Sequence, residues 1–333
     1  MATLASLFDR KSREAAAADK GDATPMIRIQ MNRRDWAILA ALALIWGGAF
    51  FFIGVAVRHV PPFTYVFVRV ALAAVAMWAF LLWRGQPLAL PRSAWGAIIL
   101  LALLNNALPF VLFGWAQTHI ASGLASILNA TTPIWGVIVA HLFTADEKIT
   151  PRKAIGVLIG FAGVALMIGP GLFASIGDSV LAQLACVVAS LAYALAGVWA
   201  RRFRKMGVSP ISVTTSQLTV AAVMMLPVAM IGDRPWTMPF PPIEAIAAIV
   251  ALAVVCTAVG YVLYFKLIDS SGATNALLVT LLVPPTAILL GVAFLGEIIT
   301  TIDIGGLALI AIGLAAIDGR LLKTWAARPR PAV

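Results

Sequence analysis

WAILAALALIWGGAFFFIGVAV, residues Trp36–Val57, runs for 22 residues without a charge. A helix that crosses the hydrocarbon of a bilayer needs about 20 predominantly apolar residues, so this run predicts a membrane-spanning helix. Nine further apolar runs follow: Phe63–Trp83, Trp95–Trp115, Ala121–Phe143, Ala154–Phe173, Val180–Ala200, Ile211–Ile231, Ile243–Leu267, Ala273–Leu295 and Thr300–Ile317. Turn formers and charges separate them, among them Arg58-His59-Val60-Pro61-Pro62, Asp146-Glu147-Lys148 and Arg201-Arg202-Phe203-Arg204-Lys205. Strict polar–apolar alternation is absent, which excludes an outer-membrane barrel.

The composition agrees. Of 333 residues 62% are hydrophobic and 11% charged, against about half and about a quarter in soluble domains. So few charges cannot cover a water-facing surface, which excludes a soluble enzyme, a disordered chain or a coiled coil. Cys186 and Cys256 each sit inside an apolar run, which is neither a disulfide framework nor a metal site. No phosphate-cradling Gly-Lys-Ser/Thr loop is present, so the chain is not an ATP-driven pump. No cofactor and no metal are expected.

The net charge of +10 reads as topology. With the N-terminus in the cytoplasm, 21 of the 24 Lys and Arg fall on the cytoplasmic side, the bias that orients membrane proteins. Arg58 and Arg234 lie in outer loops, and Arg69 lies within a span. Both termini are therefore expected in the cytoplasm. The basic face would meet anionic lipids, and nucleic acid is not an expected partner. Residues 1–35 and 321–333 read as polar cytoplasmic tails, the first of them disordered.

The fourth and fifth runs resemble the ninth and tenth at a spacing near 150. Glu147 matches Glu297, Gly156 matches Gly306, Gly163 matches Gly313, and Ser122-Gly123 matches Ser271-Gly272. Each half then holds five spans, residues 36–173 and 174–320. An odd number of spans inverts the second half relative to the first. Inverted halves that enclose a midplane site are a transporter signature. The expected fold is an all-α integral membrane protein of ten transmembrane helices in two inverted five-helix repeats.

Ile45-Trp46-Gly47-Gly48-Ala49-Phe50 in the first span and Ser122-Gly123-Leu124-Ala125-Ser126-Ile127-Leu128-Asn129-Ala130-Thr131-Thr132-Pro133 in the fourth resemble the drug/metabolite transporter superfamily, specifically its EamA-type permeases. So do Glu147-Lys148-Ile149-Thr150 leading to Gly156 and Gly163, and Leu295-Gly296-Glu297 leading to Gly306 and Gly313. The resemblance covers about residues 36–320. The first half departs from the family's Leu-Gly-Glu with Ala145-Asp146-Glu147. The resemblance implies a secondary carrier that exports small metabolites. Chain size and helix number resemble the YddG-like amino-acid exporters. A bacterial-type inner (plasma) membrane is implied, and monomer or homodimer stays open.

All 14 Asp and Glu lie in tails, loops or span ends. A mid-span carboxylate is the usual proton relay of drug/proton antiporters, so carboxylate-based proton exchange is not expected. Arg69 is the only formal charge inside a span. Two readings stand: a partner for a substrate carboxylate, or a snorkelling or helix-bridging Arg, the latter preferred. One guanidinium cannot desolvate a dianion, so the expected substrate is neutral or zwitterionic, amino acids foremost.

Polar groups and prolines interrupt three spans: Asn105, Asn106 and Pro109; Asn129, Thr132 and Pro133; Asn275, Thr280, Pro284 and Pro285. In lipid such groups must face protein or a wet cavity, so a central substrate cavity is expected. Trp46, Phe50, Phe110, Tyr193, Tyr261 and Tyr264 could line it and stack on apolar parts of a substrate. Single amides and aromatics more often serve helix packing. Trp36, Trp83, Trp95 and Trp199, at span ends, read as an interface belt. An intramembrane enzyme would need a nucleophile with a base in reach, and no motif supplies one. A channel and a proton-coupled antiporter are the remaining alternatives. Gly156, Gly160 and Gly163 in span five, and Gly305, Gly306 and Gly313 in span ten, predict close helix contacts, either within each half or at a dimer face.

Overall fold

A computed structural model of the chain describes residues 31–145, 148–174, 177–276 and 278–318. Glu147 and most of the two tails lie outside them. Among the described residues every regular element is helical. The principal helices are α1 (Arg33–Ala56), α2 (Pro62–Trp83), α3 (Arg92–Ala116), α4 (Ser122–Phe143), α5 (Pro151–Ala174), α6 (Asp178–Lys205), α7 (Pro210–Gly232), α8 (Ile243–Ser271), α9 (Val279–Leu295) and α10 (Thr301–Asp318). Eight of these are long and apolar enough to cross a membrane, and α9 and α10 are shorter apolar helices.

The ends follow local chemistry. Asn32 accepts from Asp35 N, and the Asp35 carboxylate accepts from Asn32 N, closing a capping box on α1. Pro62 and Pro210 each open a helix, where the missing N–H costs nothing. Asp233, just past α7, accepts from Thr64 N at 2.6 Å and so caps α2. The run expected at Ala273–Leu295 is not one helix. Gly272, with φ 85°, ends α8, a single helical turn covers Ala273–Ala276, and α9 begins at Val279.

The main helix contacts recur when the first five helices are exchanged with the second five, although α4 packs more closely on α1 and α5 than α9 does on α6 and α10. α1 lies on α9 as α6 lies on α4, α3 lies on α6 as α8 lies on α1, and α2 lies on α8 as α7 lies on α3. α2 meets α7, and α5 meets α10. Gly160 faces Ile134 of α4 in its own half, whereas Gly156, Gly163, Gly306 and Gly313 lie between the halves. They pack on each other in a two-fold pattern: a Cβ at Gly156 would lie 2.6 Å from Gly313 O, and one at Gly163 would lie 2.7 Å from Gly306 O. The spacing of 150, which matches Gly156 to Gly306 and Gly163 to Gly313, turns one pair into the other, as an isologous contact requires. Without a hydrophobic force between helices in lipid, such backbone approach supplies the dispersion that holds them.

A methyl group at this crossing has no room. Gly313→Ala places its Cβ 2.5 Å from Gly156 O and is expected to cost about 1–3 kcal/mol by overpacking. Gly96→Ala meets nothing within 4 Å and should leave stability unchanged. Thermal unfolding of the purified variants in detergent checks the contrast.

Candidate functional site

The site begins with a proline. Pro109 has no N–H, so it would leave the Asn105 carbonyl without its usual donor. The chain answers by widening the preceding turn: Leu103–Ala107 is π-helical, and Leu108 N donates to Leu103 O five residues back. Such widened turns recur at functional sites. This one carries Asn105 and Asn106. The matching helix of the second half widens at the matching place, Ala251–Val259, where Thr257 Oγ1 donates to Leu252 O at 2.7 Å. Two polar layers form where α2, α3, α7 and α8 meet.

In one layer Asn105 Nδ2 donates to Gln217 Oε1 at 3.2 Å and to the Tyr261 hydroxyl at 3.1 Å. Asn106 Nδ2 donates to the same hydroxyl at 3.3 Å. In the other, Arg69 Nε donates to Thr257 Oγ1 at 3.1 Å, and the guanidinium carbon lies 3.7 Å from the centre of the Phe110 ring. The Tyr65 hydroxyl donates to Phe110 O at 2.7 Å. Arg69 is 6% exposed, Gln217 and Thr257 are 2%, and Asn106 is 0%. Arg69 therefore points into the bundle and does not snorkel. Asn106 Oδ1, Thr214 Oγ1 and Ser216 Oγ are buried without a hydrogen-bond partner, an expensive arrangement in an apolar interior.

Aromatic rings flank these layers. Trp46 Nε1 donates to Cys256 O at 3.2 Å, and its ring lies 5.1 Å from Tyr264. Gly260 makes this possible, because a Cβ there would stand 2.6 Å from the indole nitrogen. Phe50 meets Phe113 edge-on at 5.5 Å, and Phe113 stacks on Tyr193 at 6.1 Å.

The structure thus brings together Trp46, Arg69, Asn105, Asn106, Phe110, Tyr261 and Tyr264, with Phe50 and Tyr193 joined through Phe113. Other candidates serve the backbone. Thr132 Oγ1 donates at 2.7 Å to Asn129 O, the carbonyl that Pro133 leaves without a donor. Asn275 Nδ2 donates to Ser271 O at 2.8 Å, at the end of α8. Thr280 is half-buried at the start of α9, and Pro284 and Pro285 lie inside that helix. Trp36, Trp83 and Trp95 are exposed, whereas Trp199 donates to Ala97 O at 2.9 Å across to α3. A groove of about 390 Å³ lies away from the layers, between α2 and α8, and is rimmed by exposed Trp236 and Phe240. Its walls carry no ionisable group.

Sequence reasoning missed Gln217 and Thr257. A signal existed: the spacing of 148 that aligns Pro62 with Pro210 also aligns Arg69 with Gln217. It missed the bundle ends as well. At one end the Asp35 carboxylate accepts from Ser270 Oγ at 2.8 Å. At the other, Glu297 accepts from Ser122 N at 2.7 Å, Ser122 Oγ at 2.9 Å and Gly123 N at 3.1 Å, at the start of α4. Among the described residues no group of three His, Cys, Asp or Glu could hold a metal.

The sequence pattern of the EamA-like transporter family matches residues 35–169 and again 180–317. An uncharacterized transporter of Archaeoglobus fulgidus is 26% identical over 260 residues, covering 76% of this chain and 86% of the relative. The uncharacterized transporter YoaV of Bacillus subtilis is 24% identical, covering 83% and 94%. The uncharacterized inner membrane transporter YedA of Escherichia coli is 24% identical, covering 84% and 89%. One crystal structure superposes with a TM-score of 0.63 at 20% identity, covering 90% of this chain and 100% of that one, and is a likeness of fold. These similarities point to a multi-pass membrane transporter and not to an enzyme.

Glu297→Gln turns one of the accepting oxygens into a donor that faces Ser122 or Gly123. A loss of about 1–3 kcal/mol is expected, read as a lower unfolding temperature in detergent, with Asp303→Asn as an exposed-side comparison.

Proposed function

The chain belongs to the EamA-like transporter family, and we propose that it exports small neutral or zwitterionic metabolites, amino acids foremost, from a site in the two polar layers. The observation that carries this reading is the pair of widened turns in α3 and α8. They place Asn105, Asn106, Gln217, Tyr261, Arg69 and Thr257 together in an otherwise apolar bundle. Each of these hydrogen bonds links a helix of the first five to a helix of the second five, so relative motion of the halves would remake the site.

The ten helices act as ten spans in two inverted halves, with both termini and the basic face in the cytoplasm. The setting is a bacterial-type inner membrane, in keeping with the description of YedA as an inner membrane transporter. The amide layer and the single buried cation suit the amino-acid exporters of the YddG-like branch better than phosphorylated cargo. Among the described residues the acids stand at helix ends or in loops, so no carboxylate is placed to relay protons at mid-span. Transport is facilitated or driven by substrate gradients. The Asp35–Ser270 and Glu297–Ser122 contacts close the two ends and open in turn.

The test is counterflow of labelled amino acids and small metabolites in proteoliposomes, with and without a proton gradient. Saturable counterflow is expected without the gradient. Trp46→Ala and Asn106→Ala should each lower it by about tenfold or more, while Trp36→Ala at the membrane surface should not. Normal flux in both site variants would remove the site assignment. Export strictly driven by an inward proton gradient would overturn the uncoupled mechanism, and unsaturable flux without counterflow would mark a channel.

A further inference from the structure

Arg69 carries a charge that no carboxylate among the described residues neutralises. The guanidinium is 6% exposed. Its partners are the neutral hydroxyls of Thr257 and Tyr65 and the face of Phe110. Among the described residues no carboxylate forms an ion pair with it, and the nearest acids along the chain stand at the helix ends. A lone cation inside an apolar bundle is costly, and where one is kept it faces a partner or a pathway.

Bridging helices does not require that charge. The counterpart of Arg69 under the spacing that aligns Pro62 with Pro210 is Gln217. Gln217 bridges α7 to the widened turn of α3 through Asn105, just as Arg69 bridges α2 to the widened turn of α8 through Thr257. A neutral amide does on one side what Arg69 does on the other. The site is therefore symmetric in its packing and asymmetric in its charge, with a cation at one pole and amides at the other.

The amide pole has spare capacity. Asn106 is fully buried, and its Oδ1 has no partner. Turning the amide over would only move the vacancy in bonding to the nitrogen, because Tyr261 takes one end in either case. Asn106 and Phe110 are four residues apart on α3, as Thr257 and Tyr261 are on α8, so each pair shares a face. The two poles lie one helical turn apart, about 6 Å along the axis.

We propose that the transported molecule carries a single carboxylate, held by Arg69, and a second polar group one turn away, bound by Asn106. Guanidinium presents paired donors that match a carboxylate, and Asn106 offers an acceptor for an ammonium or hydroxyl. The proposal rests on the transporter reading and narrows its substrate class to monocarboxylates, α-amino acids included. Dianionic cargo is excluded because, among the described residues, no second cation stands at the site.

The experiment compares amino acids and hydroxy acids with their own primary amides, in two assays on the same detergent-purified protein. The first is counterflow in proteoliposomes. Wild type should carry each accepted acid at least about tenfold better than its amide. Arg69→Gln should abolish this preference, and Arg69→Lys, which keeps the charge without the fork, should restore part of it. The second is ligand-induced thermal stabilisation, in which the acid and not the amide should raise the unfolding temperature of wild type, and neither should shift Arg69→Gln. Size-exclusion profiles and unligated unfolding temperatures separate misfolding from lost recognition. Counterflow with no preference for the acid, or a preference that survives in Arg69→Gln, overturns the proposal and leaves the transporter reading standing. Arg69-dependent stabilisation by acids with no counterflow supports carboxylate binding at Arg69 and overturns the claim that the bound acid is transported. Failure to bind or to carry any carboxylate overturns the proposal.

Discussion

In hydrocarbon every backbone N–H and C=O must find its partner inside the protein, and the site grows from the places where the helices break that rule. Pro109 and Pro133 each take a donor away. At Pro133 the repair is local: the Thr132 hydroxyl reaches the freed carbonyl of Asn129 at 2.7 Å, and the turn is closed by the chain's own atoms. At Pro109 the repair is a widened turn that swings Asn105 and Asn106 toward the other half. The widened turn of α8 contains no proline. It is held by side chains, through Thr257 to Leu252 O and through Trp46 to Cys256 O. Two different local causes thus produce the same widening at matching places, and the polar layers sit on both.

The near-symmetry of the packing sharpens what departs from it. α5 and α10 meet through glycine pairs that map onto each other, a contact that needs only small residues and tolerates no choice of chemistry. Arg69 and Gln217 map onto each other as well, yet one is a fixed cation and the other a neutral amide. A symmetric scaffold with an asymmetric pair at its centre suits a cargo whose two ends differ in charge.

Much of this was legible in the residues. Lengths of apolar run marked the helices, and the glycines matched at a spacing of 150 meet where α5 crosses α10. Of the intramembrane amides and aromatics singled out, Trp46, Asn105, Asn106, Phe110, Tyr261 and Tyr264 lie together in the structure. What was not legible depends on the third dimension. Asn275 and Asn129 look like Asn106 in sequence, but whether an amide faces its own helix end or the opposite half depends on rotation about the helix axis. Seven residues in from the end of α2, Arg69 could have snorkelled. Only its packing against Phe110 and Thr257 shows that it turns inward. The join at Gly272 was hidden because a positive φ leaves no mark on hydropathy.

A carrier that alternates needs states within a few kcal/mol of each other, and the distribution of charge favours that. The charged acceptors that tie the ends, Asp35 and Glu297, stand where, on the proposed alternation, water would enter as an end opens. Charge-assisted hydrogen bonds of about 1.5–3 kcal/mol each are then exchanged for hydration and not simply lost. The middle of the bundle, by contrast, holds no ion pair between the halves among the described residues, only single hydrogen bonds such as Arg69–Thr257 and Asn105–Gln217. A buried ion pair there would have to be pulled apart without water at every cycle, at several kcal/mol. On the proposed mechanism, the absence of a carboxylate beside Arg69 among the described residues would leave the halves free to move and its charge for a partner that arrives and departs with each turn.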